Sequence, residues 1–124
     1  MARILIVDDA SLVRLYYRQT LEAAGFEVRE AFNGLEALEK LLVEPVDMLI
    51  VDVNMPQMDG MTFLKALRGQ ALPIASIPAL VVSTEAGVQD MAAAQAAGAN
   101  FYQVKPLSRD ALLQYARMFC GVPA

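Results

Sequence analysis

The chain of 124 residues contains no histidine and a single cysteine, Cys120. The first absence removes imidazole acid–base chemistry, Ser–His and Cys–His nucleophile pairs, and nearly every zinc site. The lone thiol has no internal disulfide partner, which fits a reducing compartment. The sequence is 56% hydrophobic, yet no apolar run approaches the ~20 residues of a membrane span. Met1-Ala2-Arg3 leads straight into a strand pattern, without the charged and apolar regions of a secretory signal. Basic clusters are missing too: the formal net charge is −4, and Arg14 and Arg18 share a helix face without further cations. Phosphate-backbone affinity rests on clustered Lys and Arg, so nucleic-acid binding is not expected. What remains for chemistry is carboxylate, hydroxyl, lysine and backbone, an oxygen-rich set suited to Mg²⁺, Mn²⁺ or Ca²⁺.

No linker, repeat or low-complexity tract divides the chain, and its length suits one domain. The runs Ile4-Leu5-Ile6-Val7, Met48-Leu49-Ile50-Val51 and, less purely, Phe101-Tyr102-Gln103-Val104 read as strands buried on both faces, the habit of parallel sheets. Strand and helix alternate. Ser11 is placed to cap a helix through about Ala24, with Val13, Tyr16, Tyr17, Thr20 and Leu21 inward and Gly25 just beyond its end. A strand from Phe26 to Ala31 leads to an Asn33-Gly34 turn. The next helix carries Leu35, Leu38, Leu41 and Leu42 inward and stops before Pro45. A strand from Val46 to Val53, a loop from Asn54 to Gly60 and a helix from Met61 to Arg68, burying Phe63, Leu64 and Leu67, come next. The strand Ala79 to Ser83 precedes an alanine-dominated segment, Ala86 to Ala97, stopped by Gly98. The last strand runs to Lys105, and Ser108 caps a final helix with Leu112, Leu113, Ala116 and Phe119 inward. Five β–α units of this size predict a doubly wound α/β fold, a three-layer sandwich around a parallel five-stranded sheet.

In an open parallel sheet the ligand crevice lies outside the carboxyl ends of the strands. Asp8 and Asp9 follow the first apolar run, Asp52 follows the run of the third strand, and Lys105 ends the fifth. All four are therefore expected to converge. At about 5 Å and an effective dielectric near 20, each carboxylate pair repels by roughly 3 kcal/mol. Such a site is unfavourable when empty and attracts a cation.

Asp8-Asp9, Asp52, Asn54 two residues on, Ser83 after the fourth strand and Lys105-Pro106 after the fifth fall at the strand ends in the order seen in response-regulator receiver domains. The resemblance covers the whole chain and is greatest to the stand-alone, CheY-like chemotaxis type, so a single receiver domain over residues 1–124 without an effector domain is expected. It implies the flavodoxin-like strand order 2-1-3-4-5. It also implies that Asp52 accepts a phosphoryl group as an acyl phosphate. Asp9, the Asp52 carboxylate and the Asn54 main-chain carbonyl would hold Mg²⁺, with Asp8 acting mostly through a bound water. Lys105 would pair with the phosphoryl oxygens, the Ser83 hydroxyl would donate to another of them, and the Lys105-Pro106 bond would be cis. Ser83 and Tyr102 match the hydroxyl and aromatic pair of the receiver switch. Alternation along the strand puts Tyr102 on the face opposite Phe101.

Without histidine the chain cannot be its own phosphohistidine donor. The resemblance implies a sensor histidine kinase, or a small acyl phosphate, as the source. It implies a downstream protein, such as a flagellar motor switch or another regulator, as the target. The expected molecule is a cytoplasmic monomer, a signalling switch rather than a metabolic enzyme, with no membrane insertion. Leu12, Leu15 and Leu107 are offered as part of the kinase-facing surface. The alanines between Ala92 and Ala97 give intrinsic helicity but little apolar area for docking, so this helix is expected to move. Glu85 and Asn54 resemble the chemotaxis type and favour prompt hydrolysis, whereas Thr84 is bulkier than the usual residue there and opposes it. A phosphorelay shuttle is an alternative within the class. An Asp-nucleophile phosphohydrolase is disfavoured, because no cap domain is present and Asn54 replaces a second acid. A flavodoxin-like electron carrier is disfavoured because Asp8-Asp9 would repel a phosphate.

Overall fold

Alternating β-branched and helix-forming segments build ten main elements in the computed structural model, which describes residues 2–55 and 57–121. In chain order they are β1 (Arg3–Val7), α1 (Ser11–Ala23), β2 (Glu27–Ala31), α2 (Gly34–Val43), β3 (Met48–Asp52), α3 (Gly60–Arg68), β4 (Ala79–Ser83), α4 (Val88–Ala97), β5 (Phe101–Val104) and α5 (Arg109–Cys120), with a short 3-10 turn at Ile74–Ser76 before β4. The strands form one parallel sheet in the order β2-β1-β3-β4-β5. This is the expected doubly wound topology, and the strand order reverses between β1 and β3, where such sheets open a crevice.

Alternation of side chains along each strand splits the core in two. Leu5, Val7, Leu49, Val51, Ala79 and Val81 face α2, α3 and α4, meeting Leu41, Phe63, Leu64, Leu67, Ala94 and Ala97. Their neighbours Ile4, Ile6, Met48, Ile50, Leu80 and Val82 face α1 and α5, meeting Tyr17, Leu21, Leu112, Leu113 and Ala116. Both faces of β3 and β4 are buried throughout, which is why their sequences are continuously apolar rather than alternating. The edge strand β5 departs from that expectation: Phe101 is exposed and the rest are only partly buried.

Several local expectations are corrected. Ser11 is the first residue of α1, not its cap; Ala10 holds the cap position without a side-chain bond, and Asp8 Oδ1 instead accepts from the Ala10 N–H at 2.9 Å. Asn33 and Gly34 do not form a free turn. Asn33 caps α2 by accepting from the Glu36 N–H at 2.8 Å, and Glu36 reaches back to the Phe32 N–H, a reciprocal arrangement close to a capping box. The inward stripe of α2 runs through Gly34, Ala37 and Leu41, leaving Leu35 and Leu42 exposed at 46% and 68%. Strand ends are also trimmed: β2 starts at Glu27, β3 spans Met48–Asp52 and β5 ends at Val104. Pro56, in the loop after β3, lies outside the described residues.

Arg68 closes the lower end of the sheet. Its guanidinium donates to the Gly98, Ala75 and Ile77 carbonyls and to Asn100 Oδ1 at 2.7–3.1 Å. Gly98 ends α4 with φ at +114°, the left-handed conformation that glycine adopts without strain.

Candidate functional site

Parallel pairing in register puts the ends of β1, β3 and β4 side by side, so the charges that follow them share one rim. Asp8 leaves β1 with its N–H donating to the Ala31 carbonyl at 3.0 Å, and only 2% of its surface is exposed. Asp52 is the last residue of β3 and is 7% exposed. Asp9 stands in the open just above them. One carboxylate oxygen from each of the three lies within 4.8 Å of the others. Lys105 reaches into this group, with Nζ at 3.0 Å from Asp52 Oδ1 and 3.3 Å from Asp8 Oδ2. The expected convergence of Asp8, Asp9, Asp52 and Lys105 is therefore present.

The electrostatics follow from that crowding. Burial pushes the Asp52 carboxyl above the usual range; the Lys105 hydrogen bond pulls it back, and the charges of Asp8 and Asp9 add to the upward shift. Burial works against the Lys105 ammonium, but its hydrogen bond to Asp52 and the charges of Asp8 and Asp52 outweigh it, so the lysine holds its proton more tightly than usual. Below the cluster, the Tyr17 phenol is pushed well above its ordinary value, by burial first and then by Asp8 and Asp52.

Ser83 ends β4 and is 1% exposed. Its Oγ accepts from the Glu85 N–H at 3.1 Å, while the Tyr102 hydroxyl donates to the Glu85 carbonyl at 2.7 Å. The two residues expected to form a pair thus hold the same peptide segment from opposite ends. Tyr102 packs with the core on the α2–α4 face, whereas Phe101 stacks against Tyr115 and Phe119 of α5 on the other; the alternation argument holds. Lys105 is tied to the same strand end by its N–H donating to the Ser83 carbonyl at 2.7 Å, and the Lys105-Pro106 bond is cis, as is Leu72-Pro73.

The loop after β3 returns sharply. The Gly60 N–H donates to the Val53 carbonyl at 2.9 Å, and a Cβ on Gly60 would stand 2.3 Å from the Asp52 carbonyl oxygen, so only glycine allows this approach. Asn54 is exposed beside Asp52. Gln57, with φ at +67°, accepts from Asn33 Nδ2 at 2.9 Å, linking this loop to the start of α2. Sequence reasoning did not single out Asn33 and Gln57 as partners; an Asn before a helix with Glu three residues on was the available signal.

Leu107 is corrected: it is 5% exposed and belongs to the core, whereas Leu12 and Leu15 are exposed at 78% and 47%. A groove of about 370 Å³ beside Lys105 runs between Val13, Tyr16 and Tyr17 of α1 and Pro106 and Leu107, with Thr84 at its edge. A larger one of about 540 Å³ lies between α2 and β2, away from the aspartates, and four of its charged residues pair as Arg29–Glu44 and Lys40–Glu36.

The residues that meet at this rim sit within a longer match: residues 4–117 fit the response regulator receiver domain family. The chain belongs to that family. It is 36% identical over 121 residues to the chemotaxis protein CheY1 of Helicobacter pylori (strain ATCC 700392 / 26695), covering 96% of this chain and 97% of that one. It is 38% identical over 116 residues to the response regulator MprA of Mycobacterium tuberculosis (strain ATCC 25177 / H37Ra), covering 94% of this chain and 48% of MprA. The crystal structure of the Vibrio cholerae chemotaxis protein CheY4 superimposes with a TM-score of 0.89 at 38% identity, over 96% of this chain and 98% of CheY4. The receiver fold and the CheY-like character of the chain follow. Receiver domains are signalling switches that bind Mg²⁺ in an acidic pocket and work with histidine kinases and downstream targets, and this chain carries an acidic cluster of Asp8, Asp9 and Asp52 at its strand ends. No helix among the described residues is long and apolar enough to cross a membrane.

Proposed function

We propose that the chain is a cytoplasmic, monomeric single-domain response regulator of the chemotaxis type. Asp52 takes a phosphoryl group, and the protein-binding surface changes as a result. The observation that supports this most directly is the meeting of three carboxylates and one lysine at the strand ends of a receiver fold. Two of the carboxylates are nearly buried, and one ammonium cannot neutralise three negative charges. The donor set is all hard oxygen, which suits Mg²⁺ and leaves room for water and phosphate ligands. Asp9, Asp52 and the Asn54 main-chain carbonyl would hold the ion, with Asp8 acting through water. Bound there, Mg²⁺ supplies charge neutralisation for the transferring phosphoryl oxygens.

The chain's own residues divide the work. An Asp52 carboxylate oxygen attacks phosphorus in line; the donor's P–N bond to histidine, or P–O bond to an acyl group, breaks, and the leaving group keeps the electron pair. Lys105, already in contact with Asp52 Oδ1, is placed to pair with an equatorial phosphoryl oxygen, and the Ser83 hydroxyl with another. Recruiting that hydroxyl loosens its bond to the Glu85 N–H, and Tyr102, bonded to the Glu85 carbonyl, responds. The chain has no histidine, so the phosphoryl group comes from a histidine kinase or a small acyl phosphate, and the output is binding to a motor switch or another regulator. Hydrolysis of the acyl phosphate resets the switch.

The test is intact-protein mass spectrometry after incubation with acetyl phosphate and Mg²⁺. The wild type should gain one phosphoryl group, Asp52→Asn and EDTA-treated protein none. A wild type that gains none from acetyl phosphate or any phosphorylated histidine kinase sinks the proposal.

A further inference from the structure

Arg14 lies in the first turn of α1 and has no part in the phosphoryl chemistry above, yet its guanidinium is bonded to the main chain of Asp8, one of the three clustered aspartates. Helical side chains lean toward the helix N-terminus, which carries this one back over the Ala10 turn. There Nη1 donates to the Asp8 main-chain carbonyl at 2.7 Å. Nε donates to Glu30 Oε1 at 2.9 Å, and the other Glu30 oxygen accepts from Arg18 Nη1 at 2.7 Å. One planar fork therefore spans the β1–α1 loop and β2, which a lysine's single ammonium cannot do. The Asp8 carbonyl belongs to the peptide plane that joins Asp8 to Asp9. Asp9 is exposed, so backbone direction, rather than packing, determines where its carboxylate points. A cation in the first turn also opposes the helix dipole, and Glu30 offsets that cost.

Resting on the receiver reading just given, we infer that Arg14, braced by Glu30, is a positioning residue for divalent-ion binding: it fixes the Asp8–Asp9 peptide and so aims the Asp9 carboxylate. This role has a sign that a charge effect cannot imitate. Removing a cation near a cation site should tighten Mg²⁺ binding by Coulomb's law alone. Loss of a residue that orients a metal ligand weakens binding, typically tenfold or more.

The experiment is calorimetric titration of the full chain with Mg²⁺, no phosphoryl donor present, alongside thermal melts. Arg14→Met should bind Mg²⁺ about tenfold more weakly while still melting cooperatively. Arg14→Lys, able to reach the Asp8 carbonyl but not Glu30 as well, should recover part of the loss. Glu30→Gln should fall between them and the wild type. Folded Arg14→Met with unchanged or tighter Mg²⁺ binding overturns the inference, as does Arg14→Lys as weak as Arg14→Met. A wild type that binds no Mg²⁺ brings down the receiver function itself, and this role with it.

Discussion

Replacing Asp52 by Asn should stabilise the metal-free protein, although it removes a residue at the centre of the site. In the folded chain Asp52 has carboxylate neighbours within 4.8 Å on both Asp8 and Asp9, each repelling it by about 3.5 kcal/mol at an effective dielectric of 20. Asp9 is exposed, so solvent screens its share by roughly half. Lys105 at 3.0 Å returns about 5.5 kcal/mol on the same scale. The charge terms nearly cancel, and the cost of burying an ionised carboxylate, several kcal/mol per ion, decides the sign. An Asn still accepts a hydrogen bond from Lys105 and pays less to be buried. Lys105 also keeps its contact with Asp8. The net gain is on the order of 1–2 kcal/mol, equivalent to about 4–8 °C in melting temperature for a domain of this size.

The pH dependence gives the argument a second check. Because the folded-state pKa of Asp52 lies above its ordinary value, the unfolded chain loses this proton first as pH rises. The folded state then holds more protons, and stability falls with pH across the window from the unfolded pKa, about 3.9, up to the folded one. Below that window both states carry a neutral carboxyl and the advantage of Asp52→Asn vanishes. Melts followed by circular dichroism in EDTA should show the variant more stable at pH 7.5 and equal to the wild type near pH 3.5. Millimolar Mg²⁺ should narrow or reverse the gap at pH 7.5, because the wild type gains more from the ion. A variant that melts at or below the wild-type temperature in EDTA at neutral pH refutes the account in which burying the Asp52 charge destabilises the metal-free pocket.

Three further outcomes follow from other parts of the structure. Arg68→Met strands the Gly98, Ala75 and Ile77 carbonyls and should lower the unfolding free energy by about 2–4 kcal/mol, read as a shift in urea midpoint at unchanged slope. Cys120, whose thiol is pushed up to about 11 by burial and by Asp47, should react with iodoacetamide at pH 8 at least tenfold more slowly than free cysteine, the rate climbing as pH approaches that value. Amide exchange in the first turn of α4, which starts at an uncapped Gly87, should be faster than at its last turn, where the Gly98 and Ala99 N–H groups bond the Ala94 carbonyl and Arg68 holds the Gly98 carbonyl; equal protection along the helix contradicts this.

The sheet and the pocket were readable because both depend on continuous local signals. The apolar runs Ile4–Val7 and Met48–Val51 can be buried only between two helical layers, and a charge directly after such a run has nowhere to go but the strand's end. The register of Val51 with Val81 and Val7 then brings Asp8 and Asp52 together without further information. Where expectation failed, two local solutions competed. Leu35 and Leu42 satisfy helical spacing as well as Ala37 and Leu41 do, but a Cβ at Gly34 would come within 2.8 Å of Phe63; that close approach turns the small-residue side of α2 inward. Ser11 is a good cap by type, but Asp8 occupies the turn first. Leu107 reads as surface with the loop between β5 and α5 that carries it, and the cis bond preceding Pro106 was implied by resemblance rather than by any local signal. Arg14 was legible as a cation but not as a brace, since its partners lie 6 and 16 positions away.

The way α4 is held shows how a charge change in the pocket could be felt outside it. Among its residues only Ala94 and Ala97 are buried, and at roughly 0.8 kcal/mol per buried methyl-sized group they anchor the helix by about 2 kcal/mol. Val88 at its start is 83% exposed and adds nothing. That is no larger than a single carboxylate–carboxylate repulsion at the spacing seen among Asp8, Asp9 and Asp52. The two are joined by a short path: Ser83 Oγ accepts from the Glu85 N–H, and the Glu85 carbonyl accepts from Tyr102 on β5. Under the proposed function, a phosphoryl group that competes for the Ser83 hydroxyl acts at one end of that path, with an energy comparable to the hold at the other. The Arg68 clasp fixes the far end of α4, so the motion most readily released is a swing of its Gly87 end rather than a shift of the whole helix. Amide exchange with and without beryllofluoride would show this as deprotection confined to residues 84–92; a uniform change along α4 would mean that the clasp does not serve as the pivot.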